Sequence, residues 1–341
     1  MLYTKENIIK LASMFASKSK FAPKIFYSLF ALSLLIPTLA SAHVKWFAKS
    51  SEYVRPYQLT DAPVIFSILL VIGALLVGIY LEKRLKVPKW YSRFIEHAAP
   101  AILSVASIGF GLSYLVFSYM GFVFAPNLHA VGEVGALLIG IQALAGAMIL
   151  FGFYERIGGL LLILLYVLCV KEFGFYNMMD CFEMVGFAFY AMIIGRPKWK
   201  IAESELMNKI MHHFHRYGVS ILRVGTGINL IILGFSEKIL APSLTQAFLL
   251  KYDWNFMHHI GFEWFSDYWF AYAAGVSEAL FGLFLLFGLV TRLTIIGLAV
   301  FLVTTLMLLG PLEVVGHLPH FSIAAVLLVF GAGSVMHMKR K

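Results

Sequence analysis

The chain repeats a set of small residues at a constant spacing, and this duplication restricts its fold more than any other feature. Four residues recur 136 positions later, as the pairs Gln142/Glu278, Gly146/Gly282, Gly152/Gly288 and Arg156/Arg292. An upstream group recurs 116 positions later, as Gly109/Gly225, Gly111/Gly227 and Ala125-Pro126/Ala241-Pro242. The difference of 20 positions predicts one longer loop in the second copy. The sequence therefore indicates two related structural units.

The composition places both copies in a membrane. Hydrophobic residues make up 60% of the 341 residues and charged residues only 13%, about half the charged share of a soluble protein. A helix needs ~20 apolar residues to cross a bilayer, and several stretches approach that length. The predicted spans are 63–81, 99–119, 133–153, 157–171, 182–195, 218–237, 269–289, 292–310 and 318–334.

The first 42 residues have the composition of a signal peptide. Five lysines precede an apolar run at 25–36, and Ala40-Ser41-Ala42 supplies a small-residue cleavage site. We predict cleavage after Ala42, which leaves His43 as the mature N-terminus. An uncleaved first helix is the alternative.

Lysine and arginine concentrate in alternate loops. They are absent from 120–132 and 311–317 but abundant at 83–93, 196–216 and 339–341. The positive-inside rule then predicts a multi-pass protein of a bacterial inner (plasma) membrane, with a periplasmic mature N-terminus and a cytoplasmic C-terminus. We call these the outer and inner sides. The rule accounts for most of the net charge of +9. The expected partner is therefore the lipid bilayer, and no nucleic-acid partner is expected.

The predicted fold is an all-α polytopic membrane protein with two tandem, parallel four-helix bundles, preceded by a signal peptide and one extra transmembrane helix. An even number of helices per unit gives both units the same orientation. The expected division is signal peptide 1–42, periplasmic segment 43–62, extra helix with basic loop 63–97, first unit 98–200, cytoplasmic linker 201–217 and second unit 218–341.

The second unit carries charged residues at helical spacing inside its apolar spans. Arg223 and Lys238 share one helix face with two glycines, and Glu278 lies on the next helix at nearly the depth of Asn229. Such groups either fix helix packing or form an ionisable site for a proton or polar head group. In the first unit Ser107, Ser113 and Gln142 stand where Arg223, Asn229 and Glu278 would be, so both of these charges are absent there. The expected site therefore lies in the second unit, with Glu278 and Arg223 catalytic and Asn229 and Lys238 binding.

These residues resemble the DoxX family of four-helix membrane proteins. The resemblance rests on Arg223-x3-Gly227-x6-Gly234-x3-Lys238-x3-Pro242 followed by Glu278-x3-Gly282-x5-Gly288-x3-Arg292. It covers 218–334 and is weaker over 99–196. The family includes the small subunit of a thiosulfate:quinone oxidoreductase and is distantly similar to quinone and thiol redox proteins such as the vitamin K epoxide reductases. The resemblance thus implies the fold and a quinone or redox partner protein. A thiol relay is not supported, because the sequence has no Cys-x-x-Cys.

Histidines and cysteines on the outer side give a second set of candidates. His43, as a free N-terminus, suits copper(II), and His317 and His320 are spaced to share a helix face. The alternative is that these are ordinary interfacial polar residues. Cys169 and Cys181 flank one outer turn and either form a disulfide or remain free thiols.

The outer segments are rich in aromatic residues. We expect residues 43–62 to pack on the outer surface of the helices, against the loop 241–268 that contains Trp264. The loop either closes over an amphipathic ligand or simply packs.

Two functions of different kinds follow. The first is a redox-linked, quinone-interacting membrane subunit with its polar site in the second unit. The second is a non-enzymatic binding or assembly protein that recognises a lipid, metal or partner protein on the periplasmic side. A solute transporter is disfavoured, since the sequence shows no broken helices at the midplane.

Overall fold

The structure is a computed structural model that describes residues 53–85, 88–195, 205–259, 261–309 and 312–333. Within these ranges it is helical apart from one small β-ribbon. The helices are α1 Ala62–Arg84, α2 Lys89–Tyr119, α3 Gly132–Phe151, α4 Glu155–Phe173, α5 Phe175–Met179, α6 Glu183–Ile194, α7 Glu205–Phe214, α8 Gly218–Leu233, α9 Pro242–Tyr252, α10 Phe256–His259, α11 Asp267–Phe287, α12 Thr291–Leu309 and α13 Leu312–Phe330. A 3-10 turn, His215–Tyr217, leads into α8, and a π-helix, Gly234–Ile239, follows it.

Among the described residues, five helical stretches are long and apolar enough to cross a membrane. They are Ala62–Arg84, Ala101–Tyr119, Gly132–Phe151, Lys209–Ile239 and Asp267–Phe287. Shorter apolar helices, Glu183–Ile194, Thr291–Val303 and Gly316–Phe330, lie beside them. The prediction of an all-α, multi-pass membrane protein is confirmed. The signal peptide and His43 lie outside the described residues.

Eight of the helices form a closed ring of contacts in chain order. Within the first unit α2, α3, α4 and α6 pack on one another in turn, and within the second unit α8, α11, α12 and α13 do the same. Two further contacts, α6 with α8 and α13 with α2, join the units. These two contacts between the units are as extensive as the helix contacts within the first unit. The two units therefore pack as one continuous body of helices.

The duplicated glycines lie where helices cross most closely. In the second unit a Cβ on Gly227 would lie 2.8 Å from the carbonyl oxygen of Gly282. In the first unit a Cβ on Gly146 would lie 3.2 Å from the carbonyl oxygen of Gly111. Side chains at these points would force the backbones apart, because interiors are close-packed. The repeated residues therefore specify one helix crossing, built twice.

The two units differ in the segment that connects their first and second transmembrane helices. In the first unit a short antiparallel ribbon fills this stretch, with Phe122–Val123 pairing with Ala125–His129. In the second unit the stretch is longer and contains α9 and α10. The longer connection is as predicted from the two displacements, whereas the ribbon was not predicted.

The extra helix α1 lies against the outside of the second unit. Gly78 provides a close approach to Phe284 of α11, and Ser67 hydrogen-bonds the hydroxyl of Tyr272 at 2.7 Å. Near its inner end, Glu82 accepts a hydrogen bond from the backbone N–H of Val290 at 2.9 Å. Most of α1 is exposed in the protein, as expected for a helix that faces lipid.

The segment before α1 packs at the outer end of α11. Tyr57 donates a hydrogen bond to the carbonyl oxygen of Tyr268 at 2.6 Å, and its ring contacts the ring of Trp269. Asp61 accepts hydrogen bonds from the backbone N–H of Gln58 and from Arg55, which together hold the pKa of this carboxyl below its usual range. The described part of the N-terminal segment thus contacts the second unit, at the last residues of the aromatic loop and the start of α11.

Candidate functional site

A partly buried ion pair joins two helices of the second unit, near the end predicted to be the outer one. Lys238 Nζ lies 2.7 Å from Glu278 Oε2, and the two side chains are 11% and 18% exposed. Glu278 is on α11, whereas Lys238 is on the π-helix that continues α8. A charge pair at this depth is costly to desolvate, so it needs a close and well-oriented partner.

The π-helix sets the position of Lys238. Its wider turn is closed by hydrogen bonds such as Leu240 N–H to the Phe235 carbonyl oxygen at 2.8 Å. Single π-turns re-aim side chains and are frequent at functional sites. Gly275 leaves room for the lysine stem, because a Cβ there would lie 2.8 Å from the Lys238 Cβ. The ammonium can therefore pass Gly275 and reach Glu278 one turn further along α11.

Two more carboxylates lie near this pair. Glu237 is buried beside Lys238, and Asp180 accepts a hydrogen bond from the Ser236 hydroxyl at 3.1 Å. The Lys238 ammonium interacts with the charges of both, as well as with that of Glu278. Asp180 belongs to the turn before α6, so the electrostatic environment of the ion pair includes the first unit.

Arg223, which the sequence groups with Glu278 as a candidate catalytic residue, has a different position. It is fully buried and donates hydrogen bonds to the carbonyl oxygens of Leu285, Leu286 and Ala332, the last two at 3.0 Å. These carbonyls lie at the inner end of α11 and just after α13. Arg223 thus donates to carbonyls at or just beyond helix C-termini, where a positive charge is favourable. The ion-pair partner of Glu278 is Lys238.

Asn229 also faces away from Glu278. Its side-chain oxygen accepts a hydrogen bond from the backbone N–H of Glu183 at 3.2 Å, at the start of α6. The sequence places Asn229 at nearly the same depth in the membrane as Glu278. The rotation of α8, however, directs the Asn229 side chain to the interface between the units.

The first unit shows what replaces the ion pair. Gln142, at the position that matches Glu278, accepts a hydrogen bond from the Phe124 N–H at 2.7 Å. It donates to the carbonyl oxygens of Phe122 and Tyr114 and to the Ser118 hydroxyl. Gln142 therefore holds the β-ribbon in place. Phe122 itself stands 116 positions before Lys238, so the first unit has neither charge.

The remaining candidates lie apart from the ion pair. Trp264 is 76% exposed and contacts the rings of Phe262 and Phe265 in the outer loop. Cys169 and Cys181 are both buried and free, so they do not form a disulfide. The rings of His317 and His320 are in contact, with centroids 5.2 Å apart. Over the residues that the structure describes, no three His, Cys, Asp or Glu side chains are arranged to hold a metal ion.

Sequence reasoning missed Asp180, Glu183 and Glu237. Asp180 and Glu183 are single charges at the outer border of an apolar stretch, where solvated residues are common. Glu237 adjoins Lys238 in sequence, so an ideal helix would place the two about 100° apart. Charge within an apolar span was the available signal for Glu237, since two adjacent charges there require partners.

The fold and site together define an integral, multi-pass helical membrane protein with a partly buried ion pair in its second unit. A family model described as DoxX matches residues 218–311, which include Arg223, Lys238 and Glu278. This match agrees with the sequence resemblance, which likewise covers the second unit. No curated protein and no solved structure matches the chain.

Proposed function

We propose that this protein is a quinone-interacting membrane subunit of a redox system. The observation that carries the proposal is the Lys238–Glu278 ion pair, which lies within the DoxX-matching residues and remains partly accessible. Intramembrane ionisable groups with some access are common in sites that bind polar head groups or exchange protons. A quinone reaches such a site from the lipid, since its tail is apolar and its head group is polar.

The two charges complement both redox forms of a quinone. The Lys238 ammonium is a hydrogen-bond donor that suits a quinone carbonyl oxygen. The Glu278 carboxylate is an acceptor that suits a quinol hydroxyl and can take up its proton. Oxidation of a quinol releases two electrons and two protons. In the proposal the electrons pass to a partner redox protein, Glu278 accepts one proton, and water at the outer side accepts the other.

The contrast with the first unit supports a site in the second unit alone. The amide of Gln142 is engaged by the ribbon through both its oxygen and its nitrogen. It has little capacity left for a ligand. Glu278 instead sits beside a flexible lysine and is 18% exposed.

The test is quinone binding to the full chain in lipid nanodiscs. A short-chain ubiquinone is titrated into the parent protein, Glu278→Gln and Lys238→Met, and binding is followed by intrinsic tryptophan quenching. We expect each variant to weaken binding at least about tenfold, since each removes one charged hydrogen-bonding partner.

Glu133→Gln is the matched control, because Glu133 is an exposed carboxylate at the outer end of the first unit. It should bind quinone like the parent. Equal affinity in the parent, Glu278→Gln and Glu133→Gln proteins would contradict the proposal.

One further observation favours the second function, a non-enzymatic binding or assembly protein. The outer loop of the second unit exposes large apolar side chains, including Leu250, Phe256 and Trp264. Exposed apolar groups beside a membrane suit contact with lipid or another protein. In that case a protein partner copurifies, Trp264→Ala releases it, and Glu278→Gln has no effect.

We also propose the orientation and processing that the charges predict. Residues 1–42 would be a signal peptide, the mature N-terminus would face the periplasm, and the C-terminus would lie in the cytoplasm of a bacterial cell. Copper binding by His43 with His317 and His320 remains part of this proposal.

A further inference from the structure

Two other helices meet the inner end of α12. The extra helix α1 ends there, where Glu82 accepts a hydrogen bond from the backbone N–H of Val290 at 2.9 Å. The first helix of the ring, α2, begins there. Its Tyr91 hydroxyl donates a hydrogen bond to the carbonyl oxygen of Leu328 at 2.7 Å, and the Arg292 guanidinium lies 5.3 Å from the centre of the Tyr91 ring. The end of α1 and the start of α2 therefore both lie beside the first turn of α12.

The side of α12 that faces away from the ring is apolar. Leu293, Ile296 and Val300 are 50%, 51% and 64% exposed and share one side of the helix. The apolar helix α1 lies outside the ring, where Gly78 allows a close approach to Phe284 of α11. Because α1 stands out from the ring and ends beside α12, the two helices form the sides of an apolar groove, which we call the α1–α12 groove.

Basic residues concentrate at the inner end of this groove. Positions 82–93 contain five basic residues and one acidic residue, Glu82. Lys83 and Arg84 are exposed in the last turn of α1. Among the described residues, Lys83, Arg84 and Arg292 form no ion pair with a carboxylate. No acidic side chain of the described chain therefore neutralises the positive charge at this end of the groove.

Aromatic side chains stand at the same end. Tyr80 and Trp90 are 58% and 70% exposed. The Arg84 guanidinium lies 5.4 Å from the centre of the Tyr80 ring, and the rings of Trp90 and Tyr91 are in edge-to-face contact, with centroids 5.5 Å apart. Tryptophan and tyrosine are enriched at the level of the lipid head groups, so these rings place the basic residues of α1 at that level.

The first unit carries the same apolar side chains in a different setting. Leu160 and Leu164 of α4 stand 136 positions before Ile296 and Val300, and they are 53% and 49% exposed. Over the described residues, however, no helix packs outside α3 in the way that α1 packs outside α11. The connection from α3 to the first turn of α4 has a single basic residue, Arg156. The duplication thus provides an internal control, in which an equally apolar helix side lacks both the flanking helix and the basic cluster.

We propose that the α1–α12 groove binds an anionic phospholipid of the inner leaflet. Its acyl chains lie along the exposed side of α12, and its phosphate lies at the inner end, where Lys83 and Arg84 donate charge-assisted hydrogen bonds to the phosphate oxygens. Basic sites between transmembrane helices on the cytoplasmic side recognise anionic head groups in this way. A lipid suits the groove better than a free phosphate, because the groove offers apolar surface as well as positive charge. The site goes beyond the proposed quinone function, since neither Lys238 nor Glu278 takes part.

Native mass spectrometry of the full chain tests the preference for anionic lipid. Protein in mild detergent is titrated with equal amounts of a phosphatidylglycerol and a phosphatidylcholine that have the same acyl chains. We expect the parent to retain phosphatidylglycerol at least about tenfold more tightly, and Lys83→Gln combined with Arg84→Gln to lose this preference. Lys209→Gln combined with Arg216→Gln is the matched control. It removes two exposed basic residues on the same inner side and should keep the preference.

Photolabelling of the parent protein locates the lipid and requires no variant. The protein is placed in nanodiscs that contain either phosphatidylglycerol or phosphatidylcholine with a diazirine on one acyl chain, and labelled residues are mapped by mass spectrometry after illumination. We expect phosphatidylglycerol to label the exposed side of α12 several times more strongly than that of α4. Phosphatidylcholine should label both sides alike.

Four results would overturn the proposal. In the binding measurement they are equal retention of the two lipids by the parent, an unchanged preference in Lys83→Gln with Arg84→Gln, and a lost preference in the control variant. In the labelling measurement it is phosphatidylglycerol labelling that is no stronger on α12 than on α4. None of these results bears on quinone binding at Lys238 and Glu278, so the two proposals can fail separately.

Discussion

At the scale of single residues, the second unit separates two charged side chains, Glu278 and Arg223, that the sequence predicts in one catalytic site. Glu278 pairs with Lys238 near the outer side, whereas Arg223 binds backbone carbonyls near the inner side. The first arrangement leaves two opposite charges partly exposed. The second uses a guanidinium to complete helix ends, which suits its several fixed donors.

Removing one member of the ion pair should cost more than removing both. Lys238→Met leaves Glu278 without its cation, and we expect a loss of about 3–5 kcal/mol in the free energy of unfolding. Lys238→Met combined with Glu278→Leu should recover most of that loss. Unfolding in mixed detergent, followed by circular dichroism, measures both. Lys171→Met, at an exposed outer position, is the control and should change stability little. If the double variant is no more stable than Lys238→Met, the loss does not come from the unpaired carboxylate.

Arg223 should affect stability without affecting quinone binding. Arg223→Leu removes the guanidinium hydrogen bonds to the carbonyls of Leu285, Leu286 and Ala332, and we expect a loss of about 3 kcal/mol in the free energy of unfolding. The stability of Arg223→Lys should fall between those of the parent and Arg223→Leu, because an ammonium cannot reproduce the several fixed N–H donors of a guanidinium. Thermal unfolding gives the order of stability. Quinone affinity per folded molecule should stay at the parent value; a loss comparable to that of Glu278→Gln would place Arg223 in the site.

At the scale of elements, glycines determine how closely the helices approach. Gly225 of α8 lies against Gly186 of α6, so that a Cβ on Gly225 would be 2.7 Å from the Gly186 Cα. This contact joins the two units. It also sets the distance across which Glu183 and Asn229 meet, because both residues lie on the same two helices.

A larger side chain at this crossing should separate α6 from α8. We expect Gly225→Val to destabilise the protein by about 1–3 kcal/mol or more, since overpacked backbones cannot relax easily. Gly140→Ala is the matched control, because no atom lies within 4 Å of a Cβ added to that helical glycine. Melting temperatures of the two variants, measured in the same detergent, check the expectation. Equal destabilisation of both would show that the close crossing is not the cause.

Helix positions were predictable from the sequence, whereas the contacts of the site were not. The α11 span was expected at 269–289 and is found at Asp267–Phe287, because apolar length and flanking charge are local signals. The pairing of Lys238 with Glu278 depends on the π-turn at Gly234–Ile239, which shifts side-chain directions. Ideal helical rotation grouped Lys238 with Arg223 instead. Glu183 Oε1 of the first unit lies 3.2 Å from His320 Nε2 of the second, a contact that depends on how the units pack, which no local pattern specifies.

At the scale of the whole molecule, the ring of helices makes each unit part of the other's environment. The contacts α6 with α8 and α13 with α2 close the ring. Asp180 of the first unit accepts a hydrogen bond from Ser236, which lies two residues before Lys238 of the ion pair. The ion pair therefore belongs to the second unit, but Asp180 of the first unit is part of its electrostatic environment.

Two separate polypeptides should reassemble this ring. We expect residues 1–200 and 201–341, coexpressed and tagged on one piece only, to copurify in mild detergent. The break falls in the predicted linker and leaves both interface contacts intact. Gly225→Val in the second piece should reduce recovery of the untagged piece, whereas Gly140→Ala in the first should not. Recovery that is insensitive to Gly225→Val would indicate assembly through another surface.

The closed ring has the form of a symmetric dimer fused into one chain. In a dimer of identical units, the contact of the last helix of one copy with the first helix of the other would occur twice, as an isologous interface. Fusion allows the two occurrences to diverge. One is now Gly186 against Gly225, and the other, at the corresponding positions, is Ser322 against Gly109. Divergence of this kind also placed Glu183 where the second unit has Pro319, and His320 where the first unit has Met184, so each residue of the Glu183–His320 contact occurs in one copy only.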